Sequence, residues 1–149
     1  MLSDKVILLD EVASNRQEAL EKLALQLQKS GAVKASYQAA ILQREVDFPT
    51  GLATEKIGIA MPHTDAEHVN YDQIGVMRLQ EPVEFLQMGD GAKIQVKFVF
   101  MLALKEAHAQ LGILQTLVAL IQDELTISQL LTAQTVTAFI QILNDSGIK

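Results

Sequence analysis

Apolar positions recur along the chain with two different periods, and the alternation between them lays out the elements. Val6 to Leu9 is a short apolar run that predicts an edge strand. Leu20, Leu23 and Leu27 share one face of a helix, which Ser14 and Gln17 are expected to open as a capping box. Gly31 stands where that helix needs a residue able to leave the helical path. Ser36 is expected to cap a second helix through Ala40 and Ile41, with Arg44 in its last turn. Ile57 to Met61 is an apolar run of strand length, stopped by Pro62. Proline lacks an N–H and pushes the residue before it towards an extended conformation. Ile74 to Leu79 predicts a further strand, and Val83 to Leu86 a short extended piece. Gly89-Asp90-Gly91 then reads as a turn. Ile94, Val96, Phe98 and Phe100 alternate and merge into a continuous apolar run to Leu104, the pattern of a strand entering the centre of a sheet. A helix bearing Leu111, Leu114, Leu117, Val118 and Ile121 follows Lys105 to His108. Thr126 and Gln129 are expected to cap a short helix, and Thr135 to Leu143 forms the last one. Helices and strands interleave without repeat or linker, which predicts a layered α/β sandwich.

Composition narrows the classes. At 149 residues the chain is expected to form a single domain, residues 1–149. Apolar residues make up 49% but aromatics only 5%, so the core must be aliphatic and Met-rich. No cysteine is present, which removes a disulfide framework, a Cys-ligated zinc and a thiol nucleophile. A formal charge of −6 without a basic cluster argues against a nucleic-acid surface. The N-terminus does not resemble a secretory signal. The longest apolar run, Phe98 to Leu104, is far too short to span a bilayer. A cytoplasmic protein with no direct membrane insertion is the expectation.

The candidate chemistry gathers between Arg44 and His68. His63 is the first side chain beyond the end of a buried strand, the edge where ligands collect in open α/β sheets. Phe48-Pro49-Thr50-Gly51 reads as a tight turn with a flexible Gly at its exit. Arg44 offers a planar, permanently charged fork suited to phosphate; as a purely structural group it would pair with Glu45 or Asp47. A histidine nitrogen attacks phosphorus and leaves again readily. This set suits phosphoryl chemistry without being unique to it. His108 falls at a helix start, where exposed N–H groups favour an anion. His68 either lines the site, meets a partner, or is a solvated loop residue. Glu45 is expected to hydrogen-bond loop backbone, and Thr50 and Gly51 to shape a pocket wall. His63, Asp65, Glu67 and His68 also read as metal ligands, which would make the protein a small metal-dependent hydrolase. Four polar residues in one short loop, however, lack the regular elements and supporting hydrogen bonds that a metal site needs. There is no phosphate-binding Gly-rich motif and no G-x-S-x-G nucleophile elbow.

Arg44-Glu45, Phe48-Pro49-Thr50-Gly51 and Ile59-Ala60-Met61-Pro62-His63 together resemble the signature of enzyme IIA components of the bacterial sugar phosphotransferase system, fructose/mannitol superfamily. The longer run to His68 is most similar to the galactitol-type branch. The resemblance spans essentially the whole chain and implies a mixed central β-sheet flanked by helices. It also implies a phosphotransferase in which phospho-HPr phosphorylates His63, on Nε2, with the other ring nitrogen fixed by a backbone hydrogen bond. His63 would then pass the group to a cysteine of enzyme IIB, which serves the membrane component IIC. His108, with Leu111 completing an HxxL pattern, would stabilise the phosphoryl group as in mannitol-type members, and Arg44 would neutralise its oxygens. No metal, nucleotide or other cofactor is implied. Docking calls for a shallow apolar patch with a polar rim, for which Leu52, Met61 and Leu111 are the candidates. An alternative within the same resemblance is a regulatory domain whose His63 phosphorylation controls a protein partner.

Overall fold

Strand β1 (Ile7–Glu11) leads into helix α1 (Arg16–Lys29) and then α2 (Tyr37–Asp47). Two three-residue strands follow, β2 (Gly51–Ala53) and β3 (Gly58–Ala60), then the long strands β4 (Gln73–Leu86) and β5 (Lys93–Ala103). Helices α3 (Ala107–Ile121), α4 (Glu124–Thr132) and α5 (Val136–Asp145) complete the chain. The computed structural model describes residues 1–149, the side chains of Ala107 and Ala109 excepted. The strands form one sheet in the order β1-β4-β5-β3-β2, with β1 at an edge and β5 at the centre, as their patterns predict. Pairing is mixed. β1 runs parallel to β4 and β3 parallel to β5, whereas β4–β5 and β2–β3 are antiparallel.

Alternation along the central strands feeds two cores. Val99 and Met101 of β5 and Met77 and Leu79 of β4 pack under Leu20, Leu23 and Leu27 of α1 and Tyr37 and Ile41 of α2. Phe98, Phe100, Ile74 and Val76 point the other way, under Leu117 and Leu120 of α3, Leu130 of α4 and Phe139 and Leu143 of α5. Each fully buried Leu or Phe in these layers contributes roughly 2 kcal/mol from apolar burial. The result is an α/β sandwich with a five-stranded mixed sheet between two helical layers. Among the described residues, no single helix is long and apolar enough to cross a membrane.

Local chemistry departs from the sequence-based expectations at several ends. Asn15, not Ser14, caps α1: its side chain accepts from Glu18 N–H at 2.9 Å. Asp123, not Thr126, caps α4 by accepting from Leu125 and Thr126 N–H. The end of α1 follows expectation. Gly31 adopts a φ of 90°, Ala32 N–H donates to Leu27 O at 3.1 Å and Gly31 N–H to Gln28 O at 3.0 Å. The two pieces expected at Ile74–Leu79 and Val83–Leu86 are one strand. Its pairing with β5 is irregular between Arg78 and Val83, beside Pro82, which cannot donate to the ladder. Leu111 lies outside the core of α3 and is 57% exposed.

Strand β2 is the element that patterning misses. Gly51 opens it instead of ending a turn, pairing with Ala60. A Cβ on Gly51 would stand 2.6 Å from the carbonyl oxygen of Leu86, so only glycine lets this strand approach the β4–β5 hairpin. Because β3 and β5 run parallel, their C-terminal ends open on the same side of the sheet. There Leu102 N–H donates to Pro62 O at 2.9 Å, and the buried Tyr37 hydroxyl donates to Leu102 O at 2.7 Å. Helix α2 and strand β5 thus jointly fix the place where the chain leaves β3.

Candidate functional site

The chain emerges from β3 through Met61 and Pro62 to His63. The half-buried imidazole of His63 turns back on its own backbone, with Nδ1 2.9 Å from Met61 O. A carbonyl oxygen only accepts, so Nδ1 carries the proton and donates. In the neutral ring the lone pair then belongs to Nε2. Met61 is itself held from behind. Its N–H donates to Thr50 Oγ1 at 3.1 Å, and Thr50 Oγ1 donates to Glu45 Oε1 at 2.6 Å. Thr50 N–H donates to Glu45 Oε2 at 2.7 Å. Glu45 is 5% exposed and Thr50 3%, so this relay runs through the interior. Burial is the larger influence on the Glu45 carboxyl and pushes its pKa up to about 7, against the Thr50 hydrogen bonds that favour the ionised form. Glu45 therefore bonds loop backbone, and with Thr50 it lies behind the histidine.

In front of His63 is a cleft of about 250 Å³ lined by Arg44, Thr64, Asp65, Ala66, Lys105 and Gln110. Arg44 reaches it from the last turn of α2. Its guanidinium lies 3.7 Å from Asp65 Oδ1 and 5.0 Å from the centroid of the Phe48 ring. The structural partner of Arg44 is thus Asp65, and neither Glu45 nor Asp47. Lys105 arrives from the loop between β5 and α3, anchored by its own N–H donating to Asp72 Oδ1 at 2.8 Å. The cleft unites a nitrogen nucleophile with two cations at the carboxyl ends of adjacent parallel strands, an arrangement suited to an anionic group.

Other predicted residues stand elsewhere. His68 does not line the cleft: its Nδ1 lies 2.8 Å from Ser36 Oγ, and its Nε2 3.7 Å from Glu67 Oε1. That contact explains why Ser36, at the start of α2, makes no side-chain capping bond. His108 is exposed on the first turn of α3, and the cleft is lined by its neighbours Lys105 and Gln110 instead. The loop does not gather as a metal cage, and among the described residues no three of its acids and histidines converge on one point. Of the expected apolar patch, Met61 is only 1% exposed and is core. Leu52 lines a separate cleft with Lys56, Val118 and Ile127. Leu111 is exposed, and so are Val46 and Phe48, beside Arg44 in the chain. Patterning missed Lys105 and Gln110. Lys105 follows the apolar run of β5 as His63 follows that of β3, but only knowledge that the two strands are parallel neighbours brings them together.

Comparison with known proteins identifies the family and the fold. The family model described as "Phosphoenolpyruvate-dependent sugar phosphotransferase system, EIIA 2" matches residues 1–146. The galactitol-specific EIIA component of the phosphotransferase system from Escherichia coli K12 is 30% identical over 118 residues, covering 79% of each chain. The crystal structure of IIA mannitol from Escherichia coli superposes with a TM-score of 0.80 at 26% identity, covering 96% of this chain and 99% of that one. The complex of enzyme IIA mannitol with phosphorylated enzyme IIB mannitol from Escherichia coli shares the fold, with a TM-score of 0.80 at 24% identity over 97% of this chain and 99% of that one. Matched along almost its whole length, the chain belongs to the EIIA 2 family of the phosphoenolpyruvate-dependent sugar phosphotransferase system and is a phosphotransferase, a phosphoryl carrier of that system.

Proposed function

We propose that His63 is the phosphoryl acceptor, charged by phospho-HPr and discharged to a cysteine of enzyme IIB, in a system for galactitol or a related polyol. The observation that carries this is the hydrogen bond from His63 Nδ1 to Met61 O, which leaves Nε2 as the nitrogen with a lone pair on a cation-lined cleft. Nε2 attacks the phosphorus of the donor phosphohistidine. The new N–P bond forms as the donor N–P bond breaks, and the donor imidazole leaves with the electron pair. The proton stays on Nδ1, donated to Met61 O, throughout. In the second half a IIB thiolate attacks, an S–P bond forms, and neutral His63 is the leaving group. Such transfers need positioning and charge stabilisation more than covalent help. The Met61 anchor supplies the first and Arg44 the second.

The galactitol-specific relative supports the substrate class, and the solved mannitol complex supports IIB as the partner. On this reading residues 1–149 act as one IIA domain in the cytoplasm and serve the membrane component IIC only through IIB. Phosphorus-31 NMR of the charged protein should show a single phosphohistidine at Nε2, and a galactitol-type IIB should then discharge it. A phosphoryl group on Nδ1, or on another histidine, would contradict the anchor argument. Retention of the group in the presence of IIB would favour the regulatory alternative.

A further inference from the structure

We infer that Lys105 is a second phosphoryl-binding cation of the site, holding the oxygens that Arg44 alone does not neutralise. The inference rests on His63 being the acceptor, as proposed above. A phosphoryl group brings close to two negative charges into the cleft. Arg44 meets it already engaged: Asp65 lies 3.7 Å away on one side, and Phe48 lies under the guanidinium. Arg44 already faces Asp65, whereas Lys105 lines the same cleft with its charge uncommitted. Among the described residues no carboxylate pairs with the Lys105 side chain, although it stands in an acidic protein.

The backbone around Lys105 is held while its side chain is exposed. Its N–H is bonded to Asp72, and the preceding Leu104 is fully buried. Glu106, at the cap of α3, makes no side-chain capping bond. The loop therefore presents a flexible four-carbon stem from a fixed root, on the same side of the sheet as His63. Lysine suits this place because a compact ammonium can follow the phosphorus as it moves from donor to acceptor, whereas a stacked guanidinium stays put. No bond to Lys105 forms or breaks. Its charge lowers the barrier to both N–P and S–P exchange by meeting the oxygens in transit.

The test is the rate at which full-length protein acquires phosphate from phospho-HPr, for wild type, Lys105→Met, Lys105→Arg and His63→Ala. Loss of a charged hydrogen bond to the phosphoryl oxygens predicts that Lys105→Met is slower by about tenfold to a hundredfold. Lys105→Arg should recover most of the rate, and thermal unfolding should be unchanged, because the side chain is exposed. A Lys105→Met rate within about twofold of wild type, with His63→Ala still inert, would overturn the role of Lys105 and leave the acceptor assignment standing. Phosphorylation of His63→Ala at the wild-type rate would remove the acceptor and this inference with it.

Discussion

Replacing Glu45 by alanine is expected to destabilise the protein by about 4 kcal/mol at pH 5 and by only about 1 kcal/mol at pH 8. The acid-side loss comes from the buried N–H and hydroxyl of Thr50, both of which bond this carboxyl, and from the space the side chain leaves. The pH dependence comes from the raised pKa. Below about 4.5 the carboxyl is protonated in the folded and unfolded chains alike. Between 4.5 and about 7 the unfolded chain releases the proton and the folded chain keeps it, so this contribution to stability falls as pH rises. Above about 7 both states are ionised, and the full difference, roughly 3 kcal/mol, has been lost. Urea denaturation of wild type and Glu45→Ala across this range checks the sign. A difference between the two that stays constant with pH would contradict it. The variant should also take phosphate more slowly, because Thr50 would no longer hold Met61 and Met61 holds His63.

The second large effect is far from the chemistry. Arg78 is 5% exposed in the middle of β4, within the buried run from Ile74 to Leu79. Its guanidinium donates to Leu130 O at 2.9 Å and Ala133 O at 2.7 Å, carbonyls at the C-terminal end of α4. It also donates to Asp10 Oδ1 at 3.1 Å, and Asp10 adopts the left-handed φ of 57° at an irregularity in β1. One cation thus joins β4 and the edge strand β1 to the negative end of a helix dipole. Arg78→Ala is expected to lose about 3 kcal/mol, and with it roughly 10 °C of Tm at this chain length, because the carbonyls stay buried without a donor. Asp10→Asn should lose less than about 1 kcal/mol, since that carboxylate is largely exposed. Calorimetry on both variants distinguishes carbonyl capping from ion pairing: equal losses would mean that the ion pair, not the cap, carries the effect.

What was legible in the sequence follows from how local each signal is. Pro62 after an apolar run places His63 at a strand end whatever the rest of the fold does, and the period of α2 brings Arg44 to the same end. The central position of β5 was legible because a strand buried on both faces cannot alternate. Elements that exist only through pairing were hidden. Gly51–Ala53 has no strand pattern and becomes β2 because β3 and the β4–β5 hairpin are there to receive it. Ser36 looked like a helix cap, but its hydroxyl lies against His68, thirty-two positions away. Arg78 lies inside the run that predicts a strand, and nothing local marks its role, because its partners come from α4 and from β1. Met61, a candidate for the docking patch, is core because the sandwich closes over the end of β3. The cleft itself was half legible: His63 and Arg44 belong to local patterns, while Lys105 and Gln110 join them only across two parallel strands.

The most direct measurement is the intact mass of the protein after incubation with phosphoenolpyruvate, enzyme I and HPr, for wild type, His63→Ala and His68→Ala. Wild type and His68→Ala should each gain one acid-labile phosphoryl group, and His63→Ala should gain none. A folded wild type that stays unmodified, or a His63→Ala variant that is modified like wild type, would contradict the assignment of His63 as the acceptor.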